Sequence, residues 1–365
     1  MEHLNTDKMK TVLYDRHMSL GAKMVDFCGW IMPVSYQGIT LEHLQVRQKV
    51  GIFDISHMGR ILVSGPDAEA FLDYISTNTI IGKADCSATY TVWSLPRGGC
   101  VDDVIVYRQD AEHYFVVVNA CNRQKDFEHL QNEASAFQVT IQNLFDEEGM
   151  LAVQGPLAIA LVTQLNSAFT AAANLKPMQF CVVNFQNVPI VLSRTGYTGA
   201  GGLEIYAPKP QIVELWDQLL KAGAMPIGLG ARDTLRLEMG YALYGHEINE
   251  EISANESVSA WTVKFNKRDF IGKKALESIE ESPAKRSEYG IMMIEPGIAR
   301  SGYPVLQDGC EIGIVTSGTH SPTLNKAIAI VLVEKILVPG QIVEIKIRDN
   351  LSKAKVVKLP FIKGT

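Results

Sequence analysis

The chain has 365 residues, 47% hydrophobic and 20% charged, with a formal net charge of −6. That much apolar material builds a sizeable core, which excludes intrinsic disorder, and at roughly 150 residues per domain the length fits about two to three domains. A mildly acidic chain is a poor candidate for non-specific nucleic-acid binding, which runs on basic surface, although a local patch could still meet an RNA.

The first residues, Met1-Glu2-His3-Leu4-Asn5, lack the charged and apolar regions of a secretory signal. No apolar run approaches the roughly 18 residues of a membrane span, so the expectation is a cytosolic protein. Six cysteines (Cys28, Cys86, Cys100, Cys121, Cys181, Cys310) are scattered with no C-x-x-C pair. This argues against structural zinc and suggests buried thiols in a reducing compartment. No G-x-S-x-G, H-E-x-x-H or Walker A loop is present.

In chain order, Ser56-His57-Met58-Gly59 comes first. His57 reads as a general base or as a hydrogen-bonded structural histidine. Met58 reads as packing or as the wall of a ligand cavity. Ile61-Leu62-Val63-Ser64-Gly65-Pro66 then precedes a helical pattern at Ala68, Phe71, Leu72 and Ile75. Ninety residues on, Leu151-Ala152-Val153-Gln154-Gly155-Pro156 precedes another at Ile159, Ala160 and Leu165. Each spells a strand, a Gly-Pro turn and a helix with Pro in its first turn. They are either two related α+β halves or two unrelated junctions.

Tyr90 and Trp93 are core aromatics or a ring-stacking wall, and Tyr107, Tyr114 and Asn119 carry the same ambiguity. Gly98-Gly99-Cys100-Val101-Asp102-Asp103 turns into an apolar run, with strands predicted over 104–107 and 114–118. Alternation sends Asp102 and Asp103 to opposite faces, so they should not share a role. An aspartate at the mouth of an apolar strand is suited to proton transfer by a raised pKa, or else belongs to a plain turn pair. In Ser193-Arg194-Thr195-Gly196-Tyr197-Thr198-Gly199-Ala200-Gly201-Gly202-Leu203-Glu204 the glycines allow close ligand approach. Tyr197 could stack on a planar ligand and Glu204 could accept two hydrogen bonds from an amino-heterocycle. A simple hairpin turn is the alternative.

Ile212, Leu215, Trp216, Leu219 and Leu220 recur at helical spacing, with Gly223 as the stop. Gly228-Leu229-Gly230-Ala231-Arg232-Asp233 reads as a loop entering a helix. Arg232 there could clamp a carboxylate, or pair internally with Asp233 or Glu238. A helix is predicted from Gly272 to about Glu280, followed by a linker over 282–287 and a boundary near 282. Beyond it, Val343, Ile345 and Ile347 alternate with Glu344, Lys346 and Arg348, as in a small β-barrel or sandwich.

Together these motifs resemble the T protein family of the glycine cleavage system, tetrahydrofolate-dependent aminomethyltransferases. The matching blocks are Leu20-Gly21-Ala22-Lys23-Met24-Val25-Asp26-Phe27, Gly51-Ile52-Phe53-Asp54-Ile55-Ser56-His57-Met58-Gly59, residues 98–107, 193–204 and 228–233, and Thr316-Ser317-Gly318-Thr319-His320-Ser321-Pro322-Thr323-Leu324. They span nearly the whole chain. The resemblance implies an α+β, three-domain cloverleaf around a central folate cavity. Two interleaved α+β domains would fill 1–281, as 1–58 with 148–249 and 59–147 with 250–281. A β-barrel would fill 282–365.

The resemblance also implies roles. Asp103 is the catalytic carboxylate and Asp102 its structural neighbour. Met58, Tyr90, Asn119, Tyr197 and Glu204 contact the pterin, Arg232 lies in the folate site, and Arg300 approaches the glutamate tail. Tetrahydrofolate is the co-substrate, lipoylated H protein the partner, and no metal, nucleic acid or membrane is required. The setting is a bacterial cytoplasm, or a mitochondrial matrix for a processed form. One departure stands out. The family's Pro-x-Glu-Ala-Gly-Leu-like run reads Ala254-Asn255-Glu256-Ser257-Val258-Ser259-Ala260-Trp261, without its Pro and Gly. Val258 in place of Gly argues against positive φ there and for a rearranged loop. Three alternatives remain. The first is a folate-binding relative in iron–sulfur assembly or RNA modification, whose Lys-Gly-Cys-Tyr-x-Gly-Gln-Glu-like motif is absent. The second is a demethylase using another donor, and the third a cavity-bearing pseudo-enzyme.

Overall fold

Strand Gly59–Ser64 runs into helix Ala68–Ile75, and strand Glu148–Gln154 into helix Ala158–Leu165, in a computed structural model that describes residues 8–364. The reading of residues 1–5 as leaderless lies outside the described residues. Each junction turns on a glycine of positive φ, 132° at Gly65 and 126° at Gly155. A Cβ would also strike backbone there, Gln138 O at 2.4 Å from Gly65 and Lys49 O at 2.3 Å from Gly155. Only glycine meets both demands. The same turn closes at each, Ala68 N–H donating to Gly65 O at 3.1 Å and Ala158 N–H to Gly155 O at 3.0 Å. The two segments are therefore structural counterparts. Pro66 and Pro156 lie in the turn ahead of the helices rather than in their first turns, because Asp67 and Leu157 take the cap positions.

Each segment belongs to its own sheet. The six-stranded sheet runs Phe180–Phe185, Val188–Ser193, Gly202–Pro208, Glu148–Gln154, Gly51–Asp54, Met225–Pro226. The five-stranded sheet runs Ser87–Ser94, Cys100–Arg108, His113–Val118, Gly59–Ser64, Thr140–Asn143. One core is shared between them: Phe53, Ile55, Met150 and Tyr206 from the first meet Tyr107, Phe115 and Val117 from the second. Tyr107 and Phe115 stack at 4.3 Å, and the Tyr107 and Tyr206 hydroxyls bond at 2.7 Å. The outer face of the six-stranded sheet is covered by helix Lys209–Lys221, which buries Ile212, Leu215, Trp216 and Leu219 as its spacing foretells. Helix Ala68–Ile75 covers the other sheet with Phe71, Leu72 and Ile75.

Helix Lys273–Glu281, capped by Gly272, leads into a closed six-stranded barrel that begins at Ser287–Met293. Val343 and Ile345 of strand Ile342–Ile347 point into it, fully buried. The fold is thus α+β with a C-terminal barrel. The barrel docks on helix Leu229–Glu238, where Arg236 bonds Ser317 at 2.8 Å and Glu238 accepts from Ser321 and Thr323. The departing run is ordered. Ser253 and Glu256 form a capping box around the short turn Ala254–Glu256. Val258 stays out of the positive-φ region and gives its N–H to Glu288 at 2.7 Å.

The cysteine expectation needs correction. Cys28 and Cys121 are joined as a disulfide with Cα atoms 5.1 Å apart, and of the free cysteines only Cys100 is buried. A separation of 93 residues gives no hint of that contact, which arises where the turn after strand Lys23–Phe27 meets the turn Ala120–Asn122.

Candidate active site

Asp103 stands near the start of strand Cys100–Arg108, half-buried, beside the fully buried Asp102. Tyr90, on the neighbouring strand, donates its hydroxyl to Asp103 at 2.9 Å. The Asn119 amide donates to the other Asp103 oxygen at 2.8 Å. Burial, then the Asp102 charge, push the Asp103 carboxyl up to about 7 in spite of these two donors. Asp103 is therefore a carboxyl that changes protonation near neutrality, which the reading as a plain turn pair did not require.

The expectation that alternation separates Asp102 from Asp103 holds for their faces and fails for their partners. Asn119 also donates its amide to Asp102 at 2.9 Å and its backbone N–H to Asp102 at 3.0 Å. It can reach both because it lies just beyond the end of strand His113–Val118, where the chain leaves the sheet. Asn122 adds a third N–H to Asp102 at 2.7 Å.

The second group comes from the six-stranded sheet and the helix behind it. Glu204, on strand Gly202–Pro208, is buried. One of its oxygens accepts from Tyr206 at 2.8 Å and from Thr195. Tyr206 is two residues on, hence on the same strand face. Both hydroxyls donate to a single oxygen and leave the other to accept from a ligand. Tyr197, in the loop between strands Val188–Ser193 and Gly202–Pro208, gives its hydroxyl to the Ala242 carbonyl and stacks on Tyr241 at 5.8 Å. The segment is thus a hairpin loop that sets the Tyr197 ring beside Tyr241.

Arg232, in the first turn of helix Leu229–Glu238, lies 4.7 Å over the Tyr197 ring, with one nitrogen 3.8 Å from the Met58 sulfur. The internal pairings weighed for it are taken by others: Asp233 pairs with Arg236, and Glu238 with Arg47 and His43. Among the described residues Arg232 has no ion pair. Burial and the Arg236 charge lower its pKa, while the Tyr197, Glu204 and Asp103 groups oppose that, so all three act electrostatically on Arg232. His57, beside Met58, is buried edge-on against Phe27 with its Nδ1 unpartnered. Burial and the Arg232 charge hold its pKa down at about 3, so it is neutral at pH 7 and a poor general base.

Tyr90, Asp103 and Asn119 thus form one bonded group and Met58, Tyr197 and Arg232 another, with the Glu204 and Asp103 charges both acting on Arg232. Arg300 is not: it is exposed on the barrel, with one 3.4 Å bond to the Gly318 carbonyl. The sequence reading missed several supporting side chains. Ser259 bonds the Tyr90 hydroxyl at 3.1 Å, and Trp261, 58% exposed, stacks on Tyr90 at 5.7 Å. Both lie in the departing run, so the altered segment flanks the site. Tyr206 was legible by strand period from Glu204, whereas Tyr241 carried no local signal. Among the described residues no group of three or more His, Cys, Asp or Glu could hold a metal ion, and no helix is long and apolar enough to cross a membrane.

Two family models match: GCVT N-terminal domain over residues 13–267, and Glycine cleavage T-protein C-terminal barrel domain over 286–363. The chain is 44% identical to an aminomethyltransferase of Thermosipho melanesiensis over 356 residues, 97% of each chain. It is 42% identical to one of Desulfitobacterium hafniense over 363 residues, 98% of this chain and 99% of the other. The crystal structure of glycine cleavage system aminomethyltransferase T from Bartonella henselae superposes with a TM-score of 0.90 at 32% identity, over 98% of both chains.

Proposed function

From the premise that this chain belongs to the glycine cleavage T-protein family of aminomethyltransferases, and is a transferase, we propose the reaction it performs. It converts aminomethyl-lipoyl H protein and tetrahydrofolate to 5,10-methylenetetrahydrofolate, ammonia and dihydrolipoyl H protein. The observation that supports this reading is a near-neutral Asp103 and a half-satisfied Glu204 whose charges both act on a buried Arg232 that has no ion pair among the described residues.

The residues fit a reduced folate. The free oxygen of Glu204 suits the amino-heterocycle N–H groups, the Tyr197 ring and the Met58 side chain suit the flat faces, and Arg232 suits a carbonyl or carboxylate. Tetrahydrofolate, when bound, supplies the nucleophilic nitrogens, so no side chain need attack. The Asp103 carboxylate steadies the cationic methylene centre that forms as ammonia leaves, and only then takes the proton of the folate nitrogen that attacks it. The second folate nitrogen displaces the lipoyl sulfur, the carbon–sulfur bond breaking as the second carbon–nitrogen bond forms. The thiolate takes up the proton from Asp103 while that nitrogen's proton goes to solvent. Tyr90 and Asn119 fix the orientation of Asp103 by filling one lone pair on each oxygen. Trp261 and Tyr241 screen the space from water with their rings. Arg300 is assigned to the glutamate tail by resemblance alone. The division into 1–58 with 148–249, 59–147 with 250–281, and 282–365 is likewise proposed, as is a cytoplasmic setting.

The test is ammonia release from aminomethyl-lipoyl H protein with and without tetrahydrofolate. Folate-dependent release, with methylenetetrahydrofolate formed in step, is the expected result. Folate binding without release overturns the reading in favour of a binding-only relative.

A further inference from the structure

Behind Asp102 lies a second buried carboxyl that the mechanism above does not use. Asp126 sits in the first turn of helix Arg123–Glu133, with no exposure to solvent. Neither of its oxygens meets a hydrogen-bond donor among the described residues. Asn122, four residues earlier and so on the same side of the helix, bonds Asp102 at 2.7 Å, which sets the Asp102 carboxyl on the face that Asp126 shares.

Two facing carboxyls in a dry site cannot both ionise and must share a proton. The partners say which of the two holds it. Asp102 accepts three N–H groups at 2.7 to 3.0 Å, from Asn119 twice and Asn122 once, and an N–H can only donate. Asp102 is therefore the ionised member and Asp126 the acid. We propose that Asp126 is a positioning residue: its O–H donates to the Asp102 carboxylate, completes the Asp102 cradle, and so holds the Asn119 amide against Asp103. The role rests on reading Asp103 as the reacting carboxylate.

The surroundings agree. The charges that act most strongly on Asp126 are Asp102 and Asp103 on strand Cys100–Arg108, opposed by Lys125 of its own helix. The Lys125 ammonium is turned away to the Tyr244 hydroxyl at 2.7 Å. Burial and the two aspartates raise the Asp126 carboxyl well above the usual range. The chain Asp126–Asp102–Asn119–Asp103 thus carries one buried proton and one buried charge, with the second charge appearing at Asp103 only near neutrality.

The test uses the full chain and two variants. In D126N the amide N–H₂ can donate as the acid O–H does; in D126A the donor is lost. First, an infrared difference spectrum of free wild-type enzyme against D126N, at a pH where Asp103 is ionised, should show the C=O band of one neutral carboxylic acid. The band should persist in D103N. Second, D126A should lower kcat by about 10- to 100-fold, the effect of a lost charge-assisted hydrogen bond, with a much smaller change in KM for tetrahydrofolate. D126N should restore most of that loss and leave the pH midpoint of turnover in place.

A missing acid band overturns the proposal. So does a downward shift of the midpoint in D126N, which would mean that a negative charge had been removed. If D126A does not fold, the band and the D126N profile still decide. The proposal and the transferase reading fail differently. Folate-dependent ammonia release without the acid band sinks the proposal alone. The band without any release keeps the shared proton and removes the positioning role along with the reading.

Discussion

The chemistry of single residues here is set by which partners remain unfilled. Asp103 has its two oxygens held and still titrates near 7, because burial and the Asp102 charge outweigh the donors. Acting as a base, it must be ionised, so turnover should rise with pH through about 7 and level off above it. Asp103→Asn should lower kcat by about 10²- to 10⁴-fold while tetrahydrofolate affinity moves little; undiminished turnover would refute the assignment. The linkage has a definite sign. The folded pKa lies above the ordinary carboxylate value, so the contribution of Asp103 to stability is present below about pH 4 and is lost as pH rises through about 7. The melting temperature of Asp103→Asn relative to wild type should therefore climb between about pH 4 and about pH 7 and level off above it, and a flat difference across that range would contradict the raised pKa. Glu204→Gln tests the other side of the space. It keeps the shape and the Thr195 and Tyr206 contacts but loses the charge, so the tetrahydrofolate Kd should rise about 10- to 100-fold with little change in melting temperature. An unchanged Kd in a titration would remove Glu204 from the ligand contacts.

The elements depend on a few backbone positions that tolerate one residue type. Gly155 combines a φ of 126° with a Cβ path that ends 2.3 Å from the Lys49 carbonyl. Gly21 has a φ of 70° and nothing within 4 Å of its Cβ position. Gly21→Ala should therefore cost only the left-handed penalty of about 1–2 kcal/mol, and Gly155→Ala distinctly more, because backbone has to move. Urea midpoints of the two variants compare them directly, and equal shifts would mean that the strand–turn–helix junction is softer than its contacts imply. These junctions were legible because Gly-Pro punctuates two apolar runs at matching offsets. The barrel was legible because Val343 and Ile345 alternate with polar residues, and helix Lys209–Lys221 because four buried side chains share its inner face. Helix Arg123–Glu133 was opaque. Its residues are mostly charged or amide-bearing, as on a solvated surface helix, and nothing local marks Asp126 as buried. The disulfide, Ser259 and Tyr241 were opaque for a related reason: each finds its partner through the packing of segments distant in sequence.

At the scale of the whole molecule, the question is how the barrel is held to the two sheets. The contact is mixed: Leu237 of the helix buries against Ile328 and Ile330 of the barrel, and a polar network runs beside that apolar cluster. Arg236, 2% exposed, pairs with Glu247 at 2.8 Å and with Asp233 at 2.8 Å, and gives a third bond to Ser317 on the barrel at 2.8 Å. Glu247 in turn accepts from Thr316 of the barrel at 2.8 Å, and His43 bonds Thr323 at 2.9 Å. The same helix carries Arg232 one turn earlier, so the barrel braces the element that positions the proposed ligand contact. Removing one member of a buried, hydrogen-bonded pair leaves the other charge stranded, at a cost of about 3–5 kcal/mol. Arg236→Met should therefore destabilise strongly, lowering the melting temperature measured by calorimetry. Glu247→Gln added to Arg236→Met removes the stranded charge and should recover a substantial part of the loss, since the cost lies in the unpaired carboxylate rather than in the missing bond. The double-mutant cycle separates the two explanations. If the double variant is no more stable than Arg236→Met, Arg236 matters through its bonds to Ser317 and the Tyr241 carbonyl and not through the buried pair. If it recovers, the charge pair ties the barrel to the helix that bears Arg232, and tetrahydrofolate affinity should recover in parallel with stability.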